Sequence, residues 1–166
     1  MSNDPAAPAD DAAAADDVAA AEAHRAQAVA ANNLTWDLAA ADRSPENGEA
    51  LLRAAYASAH HWQFASWRVP ANEVRASYMI AKAHLLAGNP ELSLEYADRV
   101  LAGCHEHDLA DFDLAYAHEA RARALDALGR ADESLDAWRA ARAVPISDPD
   151  DQAIVDGDFA DAPPTD

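Results

Sequence analysis

The sequence predicts an all-α protein built from three antiparallel helical hairpins, and three observations carry that reading. Alanine accounts for 46 of the 166 residues while glycine is limited to five, a balance that favours helices. No alternating run of β-branched and aromatic residues is long enough for a sheet. Two stretches also superimpose at one constant offset: Ala81, Ala83, Gly88, Ser93 and Leu94 recur as Ala122, Ala124, Gly129, Ser134 and Leu135. Each copy reads as a helix, a glycine stop, a short acidic turn and a second helix, the signature of units that bury their faces only by stacking.

The elements follow in order. A first helix is expected over about 18–41, with Val29, Leu34 and Leu38 among alanines. Ser44-Pro45-Glu46 starts the second: a capping hydroxyl, proline at the first helical position, and an acid near the positive end of the helix dipole. Leu51, Leu52, Ala55, Tyr56, Ala59 and Trp62 form its apolar stripe, and Pro70 breaks it. The third helix is expected over 72–87, closed by Gly88 in the left-handed position, and the fourth from Pro90 to near Gly103. The fifth covers about 112–128 and stops at Gly129; the sixth runs from 131 to Val144, where Pro145 ends it. Within a hairpin, Ala81 and Ala122 should meet Ser93 and Ser134, small side chains that let two backbones approach.

Charge divides the chain further. The net charge is −18, yet residues 24–143 hold 17 acids against 12 bases. Residues 1–23 carry six acids and residues 144–166 carry seven, with no lysine or arginine in either. The expected organisation is an acidic leader over 1–19, a helical-repeat domain over 20–143, and an acidic tail over 144–166, with leader and tail mostly disordered. Nucleic acid and anionic membrane surfaces are disfavoured partners, because both require a basic footprint. The first twenty residues carry acids in place of a basic segment, and no long apolar run follows. Neither a signal peptide nor a membrane span is therefore expected. With one cysteine, Cys104, no internal disulfide can form, and a reducing, cytoplasmic location is expected.

At Ala81–Ala97 and Ala122–Trp138, including Leu-Gly-Arg-Ala-Asp-Glu-Ser-Leu at 128–135, the chain resembles the tetratricopeptide repeat (TPR) family. Its period is longer than is usual in that family. The whole chain, with Ala-His-His-Trp at 59–62 and Asp-Phe-Asp-Leu-Ala-Tyr-Ala at 111–117, also resembles small uncharacterised bacterial TPR-like proteins. The resemblance implies a short right-handed solenoid and a non-catalytic scaffold or adaptor that binds a peptide or helix of a partner protein. It aims Arg75, Tyr78 and Lys82 of the third helix and Tyr116, Glu119 and Arg123 of the fifth into a concave groove. Cations beside tyrosines there suit carboxylates and an apolar side chain. The alternative is six solvated positions on ordinary amphipathic helices. A charge argument also sends the acidic tail, 148–166, to this groove as a competitor.

A second class of function is a metal- or small-ligand-binding helical protein using its histidines, with His61, His84, His105 and His118 as candidates. Imidazole, thiolate and carboxylate suit zinc. However, the Cys104-His105-Glu106-His107 run cannot present all its ligands on one side of a helix, and no bound metal or other cofactor is expected. Calcium is disfavoured too: a loop starting at Asp148 puts Ala153 where glycine is needed and Phe159 where the bidentate glutamate belongs. No phosphate-cradling glycine loop or serine nucleophile motif occurs, and no enzyme is expected. Trp36, Tyr56, Trp62, Phe64 and Trp67 are read either as core of the first two helices or as a stripe that pairs two copies into a homodimer.

Overall fold

A computed structural model describes residues 8–164, with side chains from Ala14 onward. Among these residues it contains seven α-helices and no strands: α1 (Pro8–Ala40), α2 (Pro45–Phe64), α3 (Pro70–Leu86), α4 (Pro90–Glu106), α5 (Phe112–Ala127), α6 (Ala131–Ala143) and α7 (Pro149–Asp158). No helix among them is long and apolar enough to cross a membrane.

Local chemistry sets most of the boundaries. The Ser44 hydroxyl accepts from the Asn47 amide at 3.1 Å, and Pro45 opens α2 as expected. α3 and α5 end in the same closure. Gly88 and Gly129 take φ of 79° and 71°, where a Cβ would be strained. The amides of Asn89 and Arg130 then reach back to the carbonyls of His84 and Leu125, both at 2.9 Å, satisfying groups the helix leaves open. α4 is a correction: it passes through Gly103 to Glu106 and closes on Asp108 at φ 52°, with the Leu109 amide on the Cys104 carbonyl at 2.9 Å. Gly103 has a different task. A Cβ there would lie 2.8 Å from Val74 Cγ2, so its bare backbone lets α4 lie close against α3.

The helices pack in chain order. The most extensive contacts join α1 to α2, α3 to α4 and α5 to α6, and smaller ones join α2 to α3 and α4 to α5. The backbones of first helices in neighbouring pairs also approach, α1 with α3 and α3 with α5, whereas those of α2, α4 and α6 stay apart, α2 and α4 meeting through the side chains of Tyr56 and Tyr96. The first helices of the three pairs thus share one side of the molecule, along α1, α3 and α5.

Small residues make the pairs close. Ala81 and Ala122 have no exposed surface, and Ser93 and Ser134 are buried with them. Burying a hydroxyl costs stability unless it finds a partner. Ser134 Oγ donates to the Ala122 carbonyl at 2.9 Å, and Ser58 Oγ donates to the Ala28 carbonyl at 3.0 Å. The first pair thus uses the same device, which the sequence offset does not reveal. Leu125, Ala137, Trp138 and Ala141 fill one end of the core, Tyr78, Met79 and Val100 its middle, and Leu51, Ala55 and Ile80 the other end.

Both acidic ends differ from expectation. α1 begins at Pro8, inside the leader expected to be disordered over 1–19; residues 1–7 of that leader lie outside the described residues. Of the tail expected to be mostly disordered over 144–166, residues 165–166 lie outside the described residues, and residues 149–158 form α7. Asp148 caps it by accepting from the Asp150 amide at 2.8 Å, and Pro149 takes the first helical position. Val155 and Phe159, one helical turn apart, are buried against the last pair, with the Phe159 ring edge-on to Trp138 at 5.3 Å. Asp111 caps α5 and also accepts from the Ser147 amide at 3.0 Å, fixing the point from which α7 departs.

Two substitutions test the close approaches. Ala122→Leu should force α5 and α6 apart, and Gly103→Ala should do the same to α3 and α4; each is expected to cost about 1–3 kcal/mol as overpacking. Urea denaturation followed by circular dichroism measures both. Wild-type midpoints would show that these contacts are looser than described.

Candidate functional site

The six groove residues sit at matching depths, because α3 and α5 are copies related by the sequence offset: Arg75, Tyr78 and Lys82 correspond to Tyr116, Glu119 and Arg123. The structure brings them together on the side shared by α3 and α5, where they line two adjoining cavities. Tyr78 is buried; its hydroxyl donates to Glu119 Oε2 at 3.3 Å, and its ring stands edge-on to Tyr116 at 5.7 Å. Burial pushes the Tyr78 phenol well above its ordinary range, with the Glu119 charge adding to the effect. Glu119 is only 4% exposed. Its carboxylate is held by the Tyr78 hydroxyl and by Arg123 Nε, the donors that a buried charge requires.

α7 repeats this geometry one layer further on. Tyr116 donates to Asp158 Oδ2 at 2.6 Å, as Tyr78 does to Glu119, and the Tyr116 ring meets Phe159 edge-on at 5.7 Å. Arg123 grips Asp161 with two donors at 2.8 and 3.0 Å and the Asp158 carbonyl at 3.1 Å, while its guanidinium lies 5.1 Å from the Trp138 ring centre. Hydrogen bonding to Arg123 holds the Asp161 carboxyl below its ordinary value and raises the Arg123 guanidinium above its own. Arg75 makes the corresponding grip on Asp113, at 2.7 and 2.8 Å, over the ring of Phe112. Both arginines, expected to offer their donors to a ligand, are thus already engaged by the chain's own carboxylates. Lys82 differs: its ammonium lies over the rings of Trp36 and Tyr78, 4.8 and 5.8 Å from their centres.

Two cavities open on this face. The first, of about 310 Å³, is mainly apolar and is walled by Trp36 of α1, Met79 of α3, Phe112 and Tyr116 of α5, and Ile154 of α7, with Arg75 and Asp113 at its edge. Its volume is at the lower end of what ligand sites use. The second, of about 320 Å³, sets the charged groups of Arg43, Lys82, Glu119 and Arg123 among apolar walls that include Leu85, Leu86 and Ala120. Tyr78 lines both, so they adjoin. Trp36 accordingly faces the groove in place of joining an outer stripe, while Tyr56, Phe64 and Trp67 are exposed around α2, Trp67 by 84%.

The chain matches no family model, no curated protein and no solved structure. Its site is read from its own chemistry.

The four candidate histidines fall in separate places. His84 Nε2 shares a hydrogen bond with the Tyr56 hydroxyl at 2.9 Å, and its ring stacks on Tyr96 at 5.7 Å. His61 Nδ1 lies 2.9 Å from His24 Nδ1, one donating to the other. His118 lies close enough to His105 for their charges to oppose each other. Among the described residues no group of three or more His, Cys, Asp or Glu side chains is arranged to hold a metal ion. Burial, with a smaller contribution from Asp113, pushes the Cys104 thiol up to about 11, away from the reactive thiolate.

Sequence reasoning misses Asn32, Trp36, Arg43, Phe112, Asp113 and Ile154 as groove residues. Only Trp36 and Phe112 carry a usable signal, as aromatics near first-helix positions.

Burial comes first among the causes that lower the proton affinities of His61, His84 and His118 below the ordinary value of 6.5. The unfolded chain then binds protons before the folded one as pH falls. Stability should be complete above about pH 6.5 and should decline as pH drops through the depressed folded values. Melting temperatures at about pH 7.5 and about pH 5 check this, and His84→Gln should shrink the difference. A flat profile would contradict the burial assigned to these rings.

Proposed function

We propose that the chain is a non-catalytic scaffold that holds a peptide or helix of a partner protein. In this reading the three helix pairs form a TPR-like solenoid. The groove along α1, α3 and α5 is the binding surface, and α7 caps its last layer. The observation that carries the reading is the pair of adjoining cavities in that groove, one aromatic and one cationic, joined at Tyr78. An elongated surface with an apolar hollow and a charged hollow side by side suits an extended or helical segment better than a compact metabolite. The capping role of α7 agrees with the need of a stacked array for a polar outer layer at its end. α7 supplies Asp150 and Asp156 outward and Val155 inward.

The test is affinity capture from the native lysate with the full chain and with Lys82→Glu/Ile154→Arg, both partly or fully exposed positions on the groove. A partner retained by the wild type and lost by a variant with an unchanged circular dichroism melt supports the reading. Identical capture by both chains overturns it.

A further inference from the structure

Resting on that reading of the groove, we propose that its partner is an acidic segment with one bulky apolar side chain, whose carboxylates meet Arg43 and Lys82 while the apolar group enters the Trp36–Phe112 hollow.

The charge balance of the molecule points there. The chain holds 30 acids against 12 bases, so a cation should find a carboxylate easily. Eight of the eleven arginines do: each makes an ion pair within 4 Å. Arg43 and Lys82 make none among the described residues, yet they come from the α1–α2 connection and from α3 and line one cavity. A charge kept out of ion pairs in an acidic protein, at the wall of a hollow, is complementary to an incoming anion.

The geometry of Lys82 sharpens the point. Its ammonium rests between the faces of Trp36 and Tyr78, which orient the cation without neutralising it. Trp36 also walls the apolar hollow, so the same ring would touch the partner's apolar side chain while holding the cation that meets its carboxylate. The surface already accepts such chemistry from the chain itself. Asp158-Phe159-Ala160-Asp161 places two carboxylates on Tyr116 and Arg123 and wedges the phenyl ring between Tyr116 and Trp138. The Asp161 carboxylate is also close enough to feel Lys82.

Three fluorescein-labelled peptides with one central phenylalanine, flanked by Asp, by Ser or by Lys, provide the test on the full chain by fluorescence anisotropy. The Asp-flanked peptide should bind most tightly, weaken by about tenfold or more when its phenylalanine becomes alanine, and weaken as salt screens the contact. Arg43→Glu/Lys82→Glu should reverse the preference toward the Lys-flanked peptide, with an unchanged melt as the folding control. Equal binding of all three peptides, binding by none, or an unaltered preference in the double variant overturns the proposal. That outcome leaves the scaffold reading standing if the lysate partner is still lost on Lys82→Glu/Ile154→Arg, and the two failures are thus distinguishable.

Discussion

The approach of two helices at an alanine–serine contact is the constraint from which the rest of this structure follows. At Ala28 with Ser58 and at Ala122 with Ser134, a side chain of one or two heavy atoms leaves room for the next backbone. The serine hydroxyl donates its hydrogen bond to the carbonyl it meets. No large side chain separates the helices of a pair there. Leu51, Ile80, Tyr78, Val100, Leu125 and Trp138 supply the bulk of the core clusters around these contacts. A chain so rich in alanine builds a core this way: the small residues set the distance and a few large ones fill the gaps.

The groove is a consequence of the same arrangement. The backbones of α1 and α3, and of α3 and α5, approach one another, so the first helices of the three pairs share one side of the molecule. Residues one or two turns apart on α3 and α5 then face a common space. Each layer hands a carboxylate to the layer before it: Asp113 and Glu119 of α5 to Arg75 and Tyr78, Asp158 and Asp161 at the end of the chain to Tyr116 and Arg123. These contacts order the wall of the groove. They also leave Arg43 and Lys82 as the cations on that wall without an ion pair among the described residues, which is where the chemistry of a partner would be felt.

Local signals are legible in the sequence. Gly88, Gly129 and Ser44 act within a few residues of themselves, and each does what its type and position imply. The features that mislead depend on distant packing. Gly103 has the look of a helix stop and is a point of close approach to Val74, while the real stop uses Asp108, a residue type that adopts the left-handed conformation less readily than glycine. The acidity of the tail masks the Val155–Phe159 pair that anchors α7. The TPR resemblance draws attention to the six groove positions, and the structure gathers them around two adjoining cavities. It cannot say that Arg75 and Arg123 are taken by Asp113 and Asp161, carboxylates far along the chain. Pairing of that kind is decided only once the helices are side by side.

The most direct measurement is a cross-link through the seam. With Ala28→Cys and Ser58→Cys introduced together, the backbones should be near enough for a disulfide to form under mild oxidation, since Ser58 Oγ lies 3.0 Å from the Ala28 carbonyl. Cys104, buried in the core, should remain a thiol. The account predicts an intramolecular disulfide, read by mass spectrometry, in a chain of unchanged helicity. Two cysteines that stay reduced, or that link only one molecule to another, would contradict it.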